Sequence, residues 1–254
     1  MRAGKLSDNR RRPRRTPAPF PRHALPNAPI AIETFLANIP LFRELAPAEL
    51  ARIATGTRPV HAARGDVLFQ RGDPCEGFHA VVYGQVKLAF TSPEGTEKVV
   101  EIMGPGQSFG EAVMFLEKPY PVYSQTLSDS LLLHISKSVV FAETERDPQF
   151  ARRMISGLSR RLHGMVADLE AYTLHSGTQR VIGYLLRGVP DGQPANTPAR
   201  IALSVSKTVL ASRLNLTPEY FSRILHDLTQ DGLIEVEGRG ISIPDVDRLR
   251  RHEV

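Results

Sequence analysis

Glu219 and Arg223 stand four residues apart behind a Thr217-Pro218 pair in a chain of 254 residues. On a helix that spacing places both on one face. An arginine there can bond bidentately to the O6 and N7 of guanine, and a carboxylate can accept from the N4 of cytosine. The same spacing also makes an ordinary surface ion pair, worth a few tenths of a kcal/mol. Thr217 is a good N-cap, Pro218 suits the first helical position, and Glu219 favours the positive helix start. Phe221, Ile224, Leu225 and Leu228 then recur at helical spacing as a buried stripe. Glu219, Tyr220, Ser222, Arg223 and His226 are left on or near the exposed faces.

The elements that must position these residues read outward from them. Val205–Leu216 predicts a short helix with Val209, Leu210 and Leu214 inward, ending in a turn at Asn215-Leu216. Two short helices joined by a tight turn form a helix-turn-helix. The stretch from Gly232 to Pro244 alternates around a Gly238–Gly240 tip, as the β-hairpin wing of a winged helix does. Simple packing in a bundle is the bland alternative, but cap, turn, polar outer face and wing occur here in order. Upstream, Gln179–Arg187 predicts another short helix, followed by a loop over Gly188–Pro198.

Further upstream, Ala151, Ile155, Leu158, Leu162, Met165, Leu169 and Tyr172 alternate in steps of four and three. Such a heptad seam predicts a helix that pairs with a second copy of itself. Gly157 and Gly164 weaken that helix by roughly 1 kcal/mol each relative to Ala, so close approach of the β-domain or of a ligand is expected there. Before Pro148 the texture is short apolar stretches punctuated by glycine: Val67–Phe69, Phe78–Tyr83, Val86–Phe90, Val99–Met103 and Leu127–Ile135. With Pro93-Glu94-Gly95 as a hairpin turn, they predict an antiparallel β-barrel or roll. Phe35, Leu36, Ile39, Leu41, Phe42 and Leu45 precede it as a compact apolar set.

The net charge of +5 is unevenly placed. Residues 1–29 hold eight basic side chains and one acidic one, and the rest of the chain holds 24 basic and 26 acidic. This proline-rich basic segment reads as a disordered tail, with an auxiliary nonspecific DNA contact as its functional alternative. No apolar run approaches the roughly 18 residues of a membrane span, and none follows the arginines as a signal peptide requires. A cytoplasmic protein is expected. With Cys75 as the only cysteine, an internal disulfide and a cysteine-ligated iron–sulfur cluster are excluded. No nucleophile–base pair, phosphate loop or metal motif appears, so no enzyme is expected.

A β-roll, a long heptad helix and a C-terminal winged helix together resemble the Crp/Fnr family of bacterial transcription regulators, over residues 35 to about 250. The most specific stretches are Gly65-Asp-Val-Leu-Phe69 with Gly72-Asp73, Gly106-Gln-Ser-Phe-Gly-Glu111, and Leu216-Thr-Pro-Glu-Tyr-Phe-Ser-Arg223. The resemblance implies an α+β chain: a tail (1–29), a cyclic-nucleotide-binding-like antiparallel β-roll that senses an effector (30–146), a dimerisation helix (147–176) and a winged helix-turn-helix (177–254). It implies a homodimer joined through Ile155, Leu158, Leu162, Met165, Leu169 and Tyr172. That dimer would bind double-stranded DNA through Thr217, Glu219, Ser222 and Arg223 and work with RNA polymerase as an activator. Glu219, Ser222 and Arg223 match the E-x-x-S-R of Fnr-type members, which implies a TTGAT-N4-ATCAA palindrome with one half-site per protomer.

Cyclic-nucleotide-binding members follow their Gly-Glu with an arginine that grips the cyclic phosphate. No arginine occurs here between Arg71 and Arg146, so no cyclic nucleotide is expected. The resemblance is greatest to the Dnr subgroup, which senses nitric oxide through haem and controls denitrification genes. It rests on Glu111-Ala-Val-Met-Phe115, Leu158-Ser-Arg-Arg-Leu-His163 and Thr217 to Leu225. It implies a haem pocket lined by Phe109, Met114, Phe115 and the long helix, with His163 as ligand; the family's usual histidine after the dimer helix is replaced by Gln179. Two alternatives stand beside this reading. One is an effector-independent regulator, or one controlled by the Cys75 thiol, and the other a cyclic-nucleotide module that does not act on DNA.

Overall fold

Gly84 shows why glycine punctuates the first half of the chain. Its φ is +89°, and a Cβ there would stand 2.1 Å from Ser130 Oγ and 2.6 Å from the Asp129 carbonyl oxygen, so only glycine fits this turn. The computed structural model describes residues 32–42, 45–190 and 197–252, without the side chains of 161, 167, 168, 171 and 172. The expected tail over 1–29 lies outside the described residues.

In chain order, α1 (Ile32–Leu36) and α2 (Pro47–Thr55) lead into β1 (Thr57–Ala62), β2 (Val67–Phe69), β3 (Gly77–Tyr83), β4 (Val86–Thr91), β5 (Glu97–Met103) and β6 (Ser108–Phe109). Next come α3 (Glu111–Leu116), β7 (Tyr123–Thr126), β8 (Ser130–Ser136), α4 (Lys137–Arg146) and α5 (Pro148–Leu174). The C-terminal module comprises α6 (Gly177–Arg187), β9 (Ala199–Ala202), α7 (Lys207–Arg213), α8 (Pro218–Gln230), β10 (Glu235–Glu237), β11 (Gly240–Ile243) and α9 (Val246–Arg250).

Two antiparallel sheets, ordered β1-β8-β3-β6 and β2-β7-β4-β5, form the roll. Val81 and Leu132 of the first sheet share one apolar core with Phe69, Val86, Leu88 and Met103 of the second, completed by Phe109 and Tyr120. A second core packs Phe42 from the turn after α1, and Ile53, Phe150 and Met154 from the helices, against Phe78, Leu133 and Ile135 of the first sheet. The expected apolar set from Phe35 to Leu45 lies within it.

Two strands depart from the sequence reading. The run expected over Leu127–Ile135 begins as a strand only at Ser130, and Tyr123–Thr126 is a strand of its own. The cause is polar residues with an inward face: Ser124 and Thr126 are buried, and Thr126 Oγ1 donates to the carbonyl oxygens of Ala63 and Asp66. β1, which contains Pro59, gave no alternating signal. It takes a sheet edge, where a proline is tolerated.

Gly157 and Gly164 separate in role. A Cβ at Gly157 would stand 2.5 Å from Leu41 Cδ1, so the N-terminal helical segment does approach α5 there. At Gly164, among the described residues, nothing beyond the helix's own backbone lies within 4 Å of such a Cβ.

Candidate nucleic-acid interface

Local chemistry sets both helices of the reading module. Ser206 caps α7, its Oγ accepting from the Val209 amide at 3.3 Å. Thr217 caps α8, its Oγ1 accepting from the Tyr220 amide at 3.2 Å. Between them Asn215 takes a left-handed backbone with φ +59°, which asparagine tolerates better than most residues. Phe221, Ile224, Leu225 and Leu228 are buried against Leu210, Leu214, Val181 and Leu185. The helix expected over Val205–Leu216 is shorter, because Ser206 starts it and Asn215 turns it.

With that stripe buried, Glu219, Ser222, Arg223 and His226 all stand exposed on α8. Among the described residues, Glu219 and Arg223 make no ion pair with each other, so both polar heads remain available for base edges. Thr217 differs: its hydroxyl is committed to the helix cap, which makes it a positioning residue. The wing is also present. β10 pairs with β11, which pairs with β9, and the tip turns at Gly238 with φ +61° beside exposed Arg239.

α5 carries the expected apolar stripe. Ile155, Leu162, Met165 and Leu169 are each more than half exposed. Leu158 is half-buried, and the side chain of Tyr172 lies outside the described ones. Such a row on one helix is larger than scattered surface apolar residues require.

A cleft of about 1060 Å³ opens between the roll, α5 and the C-terminal module. Val100 and Ile102 of β5 line it together with Leu162, Met165, Val166 and Leu169 of α5; Tyr184, Arg187 and Leu214 line the other side. Phe109, Met114 and Phe115, expected to line an effector pocket, are not among the residues that line this cleft. Phe109 and Met114 are fully buried in the two cores, and Phe115 stacks on Phe141. His163 is exposed, and its neighbours Leu162 and Gly164 line the cleft. Sequence reasoning missed the lining from β5 and α6. No local signal marks it, because three distant elements contribute.

The remaining candidates are placed by packing. Tyr120, in the stretch where a phosphate-gripping arginine is absent, stacks on Phe69 with ring centroids 3.6 Å apart and donates to the Gly77 carbonyl oxygen. Aromatic side chains therefore fill that end of the roll. Cys75 is half-buried, its Sγ 3.2 Å from the Gly77 carbonyl oxygen. Gln179 completes a capping box on α6: its Oε1 accepts from the Ser176 amide, and its own amide donates to Ser176 Oγ. No group of three or more His, Cys, Asp or Glu suited to a metal ion occurs among the described residues. No described helix is long and apolar enough to cross a membrane.

Residues 59–147 match the cyclic nucleotide-binding domain family, and residues 179–252 match the Crp-like helix-turn-helix domain. The CRP-like cAMP-activated global transcriptional regulator of Mycobacterium tuberculosis is 24% identical over 87% of this chain and 99% of its own. DNR from Pseudomonas aeruginosa is 32% identical, across 87% of this chain and 97% of that one, with a TM-score of 0.49. FixK2 from Bradyrhizobium japonicum is 19% identical and superposes with a TM-score of 0.67 over 78% of this chain and 98% of its own, a likeness of fold.

Proposed function

The chain belongs to the Crp/Fnr family of DNA-binding transcription regulators, and from that premise we propose that it acts in the cytoplasm as a homodimer on a TTGAT-N4-ATCAA palindrome. The observation that carries this reading is the capped helix α8, which holds Glu219, Ser222 and Arg223 exposed in its first two turns. A helix enters the major groove by that end. Arg223 would read the guanine of each half-site, Glu219 would accept from a cytosine N4, and Ser222 would add a hydroxyl between them. The seam from Ile155 to Tyr172 would join the protomers, burying the stripe that one chain leaves exposed. Recruitment of RNA polymerase, activation and control of denitrification genes complete the proposal.

The effector proposed is nitric oxide sensed through haem. The apolar side chains that line the cleft outside the seam, Val100, Ile102, Val166 and Tyr184, fit a porphyrin face, and Arg187 fits a propionate. His163, between two lining positions of α5, is the imidazole we assign to the iron. When bound, haem would supply an iron that takes up nitric oxide; the chain itself supplies the apolar wall and the cation. A cyclic nucleotide is disfavoured by the missing arginine and by the Tyr120–Phe69 stack. Cys75, half-buried and near a backbone carbonyl, is a weaker thiol switch than an exposed one.

Fluorescence anisotropy with the palindrome and with half-site-scrambled duplexes tests the DNA reading. Preference for the intact palindrome supports it, and equal binding to all duplexes overturns it. Titration of the purified protein with haem, followed by nitric oxide under anaerobic conditions, tests the effector. A Soret band saturating near one haem per protomer and shifted by nitric oxide supports haem sensing. Unsaturable binding removes it and leaves the DNA assignment standing.

A further inference from the structure

The roll grips the helix-turn-helix through a small set of hydrogen bonds. β5 is an edge strand, and an edge strand presents unpaired backbone groups that must be satisfied or covered. Here one serine of α7 does it. The Val99 amide donates to Ser212 Oγ at 2.9 Å, and Ser212 Oγ donates to the Glu97 carbonyl oxygen at 3.2 Å. Ser212 thus fills a donor and an acceptor of the same edge, as a strand partner would. Beside it Lys98 Nζ donates to the Ser212 carbonyl oxygen at 2.6 Å and to Asn215 Oδ1 at 3.2 Å. Ile102 of β5 packs on the apolar core of the winged helix.

The place of this contact matters. Asn215 is the left-handed turn residue between the two helices, two positions before the Thr217 cap. The roll is therefore bonded to the turn from which the reading helix starts. A helix that inserts its first residues into a groove about 12 Å wide needs free space around that end for the flanking phosphate strands. Burial and the nearby Arg213 and Arg180 cations lower the Lys98 pKa, as expected for an ammonium enclosed at a junction. The cleft adjoins the same groups: Val100 follows Val99, and Arg213 and Leu214 follow Ser212.

We propose that the Ser212–β5 contact, reinforced by Lys98, is an autoinhibitory latch. It holds the winged helix against its own roll in a state of low DNA affinity, and a ligand entering the adjoining cleft opens it. The proposal rests on the DNA reading given above and names its regulation. It needs no change within the recognition helix, only parting of β5 from α7, which shifts a population of two states.

Of the hydrogen bonds described above, Ser212→Ala removes the two to the β5 backbone, and Lys98→Met removes the two from Lys98 Nζ while leaving the Ser212 hydroxyl on the Val99 amide and the Glu97 carbonyl. Amide hydrogen exchange at Val99 reports the latch directly. In Ser212→Ala, exchange at Val99 should quicken by about tenfold or more, the scale of one lost hydrogen bond. Both variants should bind the palindrome several-fold more tightly than the wild type without added ligand. Faster exchange with unchanged or weaker DNA binding overturns the latch, and so does Val99 exchange that neither variant alters. Adding Arg223→Ala to Ser212→Ala separates the two claims. If discrimination between duplexes survives in that double variant, the DNA reading fails, whatever the exchange at Val99 shows.

Discussion

The ring of Tyr220 lies over Gly177. A Cβ built on that glycine would stand 2.7 Å from Tyr220 Cε1, with Leu216 Cδ2 at 3.1 Å and Ile224 Cδ1 at 3.3 Å. Gly177 is the first residue of α6, three positions after Leu174 ends the long helix, and Tyr220 is in the first turn of α8. The junction at the foot of α5 is thus in contact with the residues that start α8, so movement at one is felt at the other.

Gly177→Ala should expose that coupling. The alanine favours α6 by up to about 1 kcal/mol through helix propensity, while its methyl must push the tyrosine ring aside. Global stability should therefore change little, and palindrome affinity should fall by about tenfold, roughly 1.4 kcal/mol. A double-mutant cycle with Tyr220→Ala should return a coupling of at least about 0.5 kcal/mol. Additive effects on DNA binding would show that the contact carries no information.

Arg223→Ala tests base reading by α8. The loss should be about 1–3 kcal/mol and confined to duplexes with guanine at the contacted position, so that discrimination there relaxes. The slope of log affinity against log salt should stay nearly constant. A uniform loss on every sequence, with the slope reduced by about one, would make Arg223 a phosphate contact instead.

The reading module was legible because its signals are local. Thr217, Pro218 and the Phe221–Leu228 stripe lie within a dozen residues, and cap, helix and buried face are set by neighbours along the chain. The long helix α5 and its exposed apolar stripe were legible for the same reason. The latch and the cleft were not, since Ser212 and Val99 are 113 positions apart and neither residue type is unusual where it stands. β7 stayed hidden because its inward Ser124 and Thr126 read as polar in sequence and become core in the fold. The glycine pair on α5 illustrates both cases: the close approach at Gly157 comes from Leu41, more than a hundred residues away, and at Gly164 no other element approaches among the described residues.

The seam is tested by charge. Leu162→Asp and Leu169→Asp place carboxylates on side chains that one chain leaves exposed, so each should cost the isolated protomer less than about 0.5 kcal/mol. In a dimer the same carboxylates would be buried without partners. Sedimentation velocity should show the wild type as a dimer and the variants as monomers, with far-ultraviolet circular dichroism unchanged. Binding to a full palindrome should then drop to the level of a single half-site. Variants that remain dimeric would place the protomer contact elsewhere.

His79 gives the roll an acid sensitivity of predictable sign. Burial, and after it the neighbouring His134 and Arg58, push its pKa down to about 3 from an ordinary value of 6.5. Its Nδ1 is buried without a hydrogen-bond partner, its ring is stacked on Phe109, and it meets His134 edge-on at 4.9 Å. The folded chain therefore keeps His79 neutral while the unfolded chain protonates near pH 6.5. Between about pH 6.5 and 3 the unfolded state binds more protons, so stability falls as pH falls, by at most about 1.4 kcal/mol per unit for this group. His134, also shifted down by burial, adds to the slope in the same direction. His79→Phe keeps a ring of similar size between Phe69 and Phe109 and removes the titrating nitrogen. Urea unfolding at pH 7 should show a variant at least as stable as the wild type, and its stability should decline less steeply towards pH 5. Parallel profiles for the two proteins would mean that His79 reaches solvent and protonates in the folded state.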